Sequence, residues 1–301
     1  MGKTTIEWTS YFQNGKLIPG YTFNPFWGCC KISPGCENCY AETWAKRTGF
    51  SEIWGFHKVR RHFGEKHWQE PLKWNAKAIK EGVIKLVFCG SMCDIFENNP
   101  VDDVAMHEDR RRLFEVIENT DNLFWLLLTK RLENVMIMTP WHWEKWPENV
   151  AIGASIENQN TTEVRIPALL QIPAKFRFLS IEPLIDHVDL ENNLDWLWEA
   201  DPLEDGEWRY DPRGDIHWVI VGGESGPRSR PMNLDWVRDL REQCFDAQMP
   251  FFVKQLGTHW ARSEKVYAKS KKGENKELWP EDLRIQQIPR QFTTRDRFPA
   301  P

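Results

Sequence analysis

Residues 85–97 read KLVFCGSMCDIFE, an apolar run that stops at Gly90 and passes into polar residues. Five later runs share that form. LFWLLL (123–128) passes into Thr129-Lys130-Arg131, VAIGAS (150–155) into Ile156-Glu157-Asn158, and FRFLS (176–180) into Ile181-Glu182-Pro183. HWVIVGG (217–223) passes into Glu224-Ser225-Gly226, and FFVKQ (251–255) into Leu256-Gly257. Continuous apolar runs of this length suit strands buried on both faces of a parallel sheet. Helices are expected between them, at 101–119, 161–171 and 233–247. Strand and helix in alternation define a βα array. One more strand is expected within 21–27, which brings the count to about seven. The fold class expected is α/β, a complete or partial (β/α) TIM-type barrel.

Immediately after that first strand comes GCCKISPGCENCYA (28–41), which holds four of the seven cysteines. Cys29, Cys36 and Cys39 are spaced C-x6-C-x2-C, and Cys30 lies beside the first. Pro34-Gly35 turns the chain ahead of the close pair. Three thiolates with one open position suit an iron–sulfur cluster, whereas structural zinc takes four protein ligands. Zinc with Cys30 as the fourth ligand is the competing reading, although neighbouring residues point their side chains apart. A disulfide pairing fits less well, since the opening MGKTTIEWTS is polar and the cysteine count is odd. A cytoplasmic location is expected on the same grounds.

The chain has 301 residues, net charge −5 and no apolar run long enough to span a bilayer. The acidic balance excludes a wholly basic nucleic-acid binder and leaves room for a local basic face. Such a face is carried by 55–75, where His57, Lys58, Arg60, Arg61, His62, Lys66 and His67 alternate with aromatic residues. Its readings are a phosphate-contacting surface or a solvated face. The seventeen tryptophans are read as packing residues. The barrel is expected over 1–257, with an acidic, tryptophan-rich, lid-like insertion at about 186–215. An extension follows over 258–301, ordered at 278–285 and disordered in its last ten residues.

In a βα barrel, ligands bind at the C-terminal ends of the strands. The residues expected there include Ser91, Asp94, Thr129, Lys130, Arg131, Ser155, Glu157, Ser180, Glu182, Gly222, Gly223, Glu224, Lys254 and Gln255. Glu157 and Glu182 recur in the same Ser-Ile-Glu context. Two inward carboxylates are costly without cationic partners, for which Lys130 and Lys254 are named. The four form the candidate catalytic set. A hydrolase or lyase using Glu157 and Glu182 as an acid–base pair is a third reading. Cys89 and Cys93 are read as small core residues.

The motif AsnProPheTrpGlyCys…SerProGlyCys-x-x-CysTyrAla (24–41) resembles the opening of the phage-associated, radical-SAM-like three-cysteine proteins of unknown function. Further matches follow in order at 91–97, 127–131, 155–158, 178–183, 221–232 and 251–257, so the resemblance covers about 24–290. It implies a 4Fe–4S cluster on Cys29, Cys36 and Cys39, with S-adenosyl-L-methionine (SAM) chelating the open iron. Ser91 and Asp94 would then lie near the methionine amino group, and Ser155 and Glu157 near the ribose or the methionine carboxylate. Gly222, Gly223 and Glu224 would line the nucleoside or substrate side. The implied partners are an unidentified substrate, with a nucleotide or nucleic acid among the options, and a flavodoxin- or ferredoxin-like electron donor. The commoner spacing in radical-SAM enzymes is C-x3-C-x2-C with an aromatic residue before the last cysteine. Here Asn38 precedes Cys39 and Tyr40 follows it. The rival to radical chemistry is a metal-stabilised barrel that binds nucleic acid or a protein.

Overall fold

Every apolar run forms a strand of one sheet. The structure, a computed structural model, describes residues 4, 6–141, 145–190 and 216–294. Its strands are β1 (Tyr11–Gln13), β2 (Lys16–Ile18), β3 (Tyr21–Phe23), β4 (Phe26–Trp27), β5 (Arg61–His62), β6 (Lys85–Cys89), β7 (Leu123–Thr129), β8 (Val150–Ile156), β9 (Phe176–Ile181), β10 (Trp218–Gly222) and β11 (Phe251–Gln255). Its α-helices are α1 (Tyr40–Arg47), α2 (Glu65–Trp68), α3 (Glu70–Glu81), α4 (Asp103–Glu118), α5 (Val135–Met138), α6 (Gln159–Leu170), α7 (Leu234–Asp246) and α8 (Gly257–Ser263).

Seven strands line up in the order β11-β10-β9-β8-β7-β6-β3. The pairs β3–β6, β6–β7, β9–β10 and β10–β11 are parallel. This is a mixed α/β fold whose strand order has two ends, the partial form of the expected array. The helices expected at 101–119, 161–171 and 233–247 are α4, α6 and α7. The excursion before β3 is an antiparallel hairpin of β1 and β2, closed by Asn14 and Gly15 at positive φ. No described helix is long and apolar enough to cross a membrane.

Two compact units divide the chain: Met1–Gly153 with Ile288–Pro301, and Ala154–Gln287. In the first unit Phe23 packs edge-on against Trp68, Trp74 and Trp125, with ring centroids 5.4, 6.3 and 5.8 Å away. Phe292 stacks on Phe124. In the second unit Trp218 packs between Phe178 and Phe252. Trp279 and Leu283, inside the extension expected to order at 278–285, are buried there. These rings carry out the packing role expected of the tryptophans. Residues 191–215, most of the expected lid-like insertion, lie outside the described residues, as do 295–301 of the tail.

The basic run at 55–75 is neither wholly solvated nor wholly a surface. It contains α2 and most of the first two turns of α3, whose buried face carries Pro71, Trp74 and Ala78. Arg60 is buried on Glu97. His67 stacks on Phe23 and Phe63 and lies 2.9 Å from the carbonyl oxygen of Asn24. Burial holds its pKa below the ordinary histidine value.

His62 also turns inward. Its Nδ1 lies 2.6 Å from Asp109 and its Nε2 2.9 Å from Asp102. Only an imidazolium carries N–H groups on both nitrogens. The bond to Asp109, opposed by burial and assisted by Asp102, holds the His62 pKa above its ordinary value. A group with a raised folded-state pKa stabilises fully below its unfolded pKa of about 6.5, and that contribution is lost as pH rises through the folded value. His62→Gln is therefore expected to lower the melting temperature strongly at about pH 6 and less at about pH 9. Equal losses at both pH values would rule out the charged pairing.

Candidate functional site

In the first unit the parallel order β7-β6-β3 brings three strand ends to one edge. Asn24 follows β3, Ser91 to Asp94 follow β6, and Lys130 and Arg131 follow β7. Asn24 is fully buried and works as a clamp. Its side-chain nitrogen donates to Ser91 Oγ at 2.9 Å, and its Oδ1 accepts from Met92 N–H at 2.8 Å. The cysteine loop is tied to the same edge. Gly28 N–H donates to Met92 O at 3.0 Å, Gly55 N–H to Cys29 O at 2.9 Å, and the Tyr40 hydroxyl to Ser91 O at 2.7 Å. Gly28 has φ +115°, and an added Cβ would lie 2.3 Å from the Ile53 carbonyl oxygen, so this position accepts only glycine.

Within the loop, Pro34–Cys36 forms a short 3-10 turn closed by Cys36 N–H on Ser33 O. Cys39 is the N-cap of α1. Cys29 and Cys39 pack on the cluster of Ala41, Ala45, Ile53 and Trp54. Burial pushes the Cys29 thiol well above its ordinary pKa; the carboxylates of Glu97 and Asp94 add to this and Arg131 opposes it. Burial also raises Cys39, against the lowering effect of the backbone N–H groups of Glu42 and Ala41.

Asp94 organises the edge. Its Oδ1 accepts from Thr129 Oγ1 at 2.7 Å and Phe96 N–H at 3.1 Å, and its Oδ2 from Arg131 Nη1 at 2.8 Å and Lys130 N–H at 3.1 Å. Four donors fill the acceptor sites of one carboxylate. Asp94 is thereby committed to aiming Arg131, which reaches the loop: its Nη1 lies 3.9 Å from Cys29 Sγ, and its Nη2 3.1 Å from both the Sγ and the carbonyl oxygen of Cys30. Cys30, the fourth ligand of the competing zinc reading, is thus held by the guanidinium. Burial and a hydrogen bond with Glu97 raise its thiol pKa, against Arg131. Behind the loop, Arg60 donates to both oxygens of Glu97, at 2.6 and 3.0 Å, and to the carbonyls of Ile53 and Gly55 at 2.8 and 3.1 Å.

In the second unit, β9, β10 and β11 are parallel neighbours, so Glu182, Gly223, Glu224 and the end of β11 share an edge. Lys254 Nζ lies 2.6 Å from Glu182 Oε2, and Gln255 Nε2 3.2 Å from Oε1. Glu182 therefore has the lysine partner expected of it, and the pair is part-exposed, at 18 % and 21 % of the side-chain surfaces. Gly222 faces the Glu182 side chain, and Gly223 has the Leu256 carbonyl oxygen 2.5 Å from where a Cβ would stand. Glu157, fully buried, pairs with Arg165 of α6 at 2.9 Å, and Arg165 also donates to the Ser155 carbonyl at 2.6 Å. Glu224 is held by Arg230 at 2.6 and 3.1 Å. Arg165 and Arg230 were not expected as partners; Arg165 sits on the helix after β8 and Arg230 in the loop after β10, and only the nearby carboxylate signals each.

Among the described residues no three histidine, cysteine, aspartate or glutamate side chains converge as a preformed ion site. The cysteine loop offers thiol donors of the kind a metal cluster would take, without prior convergence. Protonated thiols pack as apolar groups, and ligation requires them to lose their protons.

The fold and this edge define a mixed α/β protein with a cysteine loop after the first strand of its parallel sheet. The chain belongs to the family described as Protein of unknown function (DUF5131), which matches residues 3–282. No curated protein and no solved structure matches it.

Proposed function

We propose that Cys29, Cys36 and Cys39 hold a 4Fe–4S cluster that binds SAM, and that the chain is an iron–sulfur enzyme of radical-SAM type. The observation that carries this reading is the attachment of one three-cysteine loop to a parallel strand edge, through Gly28, Tyr40 and Asn24. When bound, the cluster supplies the electron that cleaves the sulfonium of SAM. The chain's own residues prepare the place. Arg131 sets a fixed cation beside Cys29 and Cys30, which favours their thiolate forms. The apolar cluster under the loop backs Cys29 and Cys39. Ser91, whose carbonyl takes the Tyr40 hydroxyl of the loop, is proposed for SAM. Lys130 is proposed for the substrate; in the second unit the part-exposed Glu182–Lys254 pair is able to exchange a proton.

The test is anaerobic reconstitution with iron and sulfide. About four irons per chain, with broad visible absorption that is lost in Cys29→Ala, Cys36→Ala and Cys39→Ala, is the expected result. One zinc per chain, bound with Cys30 as a fourth ligand, would overturn the proposal.

A further inference from the structure

Next to the cysteine loop, in the same unit, lies a cleft of about 650 Å³ lined by Trp27, Arg61, Phe63, Lys66 and His67. Its floor is the antiparallel pair β4–β5, where Trp27 stands opposite Arg61. The Arg61 guanidinium lies 4.8 Å from the Trp27 ring, 4.2 Å from Phe50 and 5.6 Å from Phe63. Trp44, itself 40 % exposed, stands edge-on to Trp27 at 5.0 Å.

The cleft lining carries two cations, Arg61 and Lys66, and two acids, Glu65 and Glu70. Arg60, Arg110, Arg111, Arg112 and Arg131 each pair with a carboxylate. Arg61 is held by rings, and among the described residues no acceptor is hydrogen-bonded to its side chain. The two acids in the lining are already engaged: Glu65 with Arg112 at 2.6 Å and Glu70 with Lys73 at 3.0 Å. Among the described residues neither Arg61 nor Lys66 forms an ion pair, so both are available to an anion. The rings hold the Arg61 guanidinium without taking its N–H groups, an arrangement that suits a phosphate oxygen pair. Aromatic rings beside open cations are the elements of single-strand recognition, in which bases stack and the backbone follows the charge.

We propose that this cleft binds single-stranded nucleic acid, with phosphate on Arg61 and Lys66 and a base on the Trp27–Trp44 platform. The inference does not depend on the cysteines holding a cluster, and its test uses the metal-free full chain. The probe is a short fluorescein-labelled single-stranded DNA oligonucleotide, read by anisotropy over a range of salt. The expected result is salt-sensitive binding in which Lys66→Glu and Arg61→Gln each reduce the log–log salt slope by about 0.7. Trp44→Ala is expected to weaken binding about tenfold. Lys66 and Trp44 are exposed, so these variants test the site without disturbing the core. Absence of binding, binding indifferent to Lys66→Glu and Trp44→Ala, or equal affinity for duplex DNA would each overturn the proposal.

Discussion

Arg60→Met is expected to destabilise the first unit by about 3–5 kcal/mol, because it leaves the Glu97 carboxylate buried without its cation. The side chains of Arg60 and Glu97 are 0 % and 1 % exposed, so water does not replace what is lost. Methionine approximates the arginine stem in volume, which confines the effect to the lost charge and hydrogen bonds rather than a cavity. Those bonds include the two to Ile53 and Gly55, the segment that backs the cysteine loop. For a unit of this size the cost corresponds to a fall of about 10 °C in the melting temperature. The double variant Arg60→Met, Glu97→Leu removes both charges and is expected to recover most of the loss, since a buried pair replaced by apolar groups is often near neutral. A single variant melting within about 2 °C of the wild type would contradict the account of this pair.

Arg131→Met is the second large effect and separates stability from cluster chemistry. Asp94 keeps its three uncharged donors in this variant, so the expected loss is smaller, about 2–4 kcal/mol. The loop loses its cation beside Cys29 and Cys30. Iron uptake during reconstitution is expected to fall in proportion to thiolate formation and to recover at higher pH, where the thiols ionise without help. Arg131→Lys keeps a point charge but not the fork that spans Asp94 and Cys30, and is expected to restore uptake in part. Wild-type iron uptake by folded Arg131→Met at neutral pH would exclude this role.

The strands and the three long helices were legible in the sequence because each is a property of a short window. Runs such as LeuPheTrpLeuLeuLeu carry their burial in their composition, and strand and helix bounds agree with expectation to within a few residues. The cysteine loop was legible for the same reason. What the sequence hid are the pairings across distance. Arg60 and Glu97 lie 37 positions apart, and Asp94 and Arg131 also 37. No local pattern distinguishes a buried arginine in a basic run from its solvated neighbours. The histidines of 55–75 were hidden likewise: His62 and His67 face inward to Asp102, Asp109 and Asn24, whereas Arg61 and Lys66 remain at the surface cleft. Glu157 shows the reverse limit. Its need for a cation followed from its setting, but its partner Arg165 emerges only once α6 is laid back on its strand. Asn24 was visible as the first residue of the 24–41 motif, and its role as the clamp between β3, Ser91 and Met92 appears only in the folded chain.

The most direct measurement of the central claim is the formation of 5′-deoxyadenosine by the anaerobically reconstituted chain, given dithionite and SAM and assayed by mass spectrometry. The account predicts product from the wild type and none from Cys36→Ala. Equal yields from the two proteins, or no product from a wild type carrying its full iron, would contradict it.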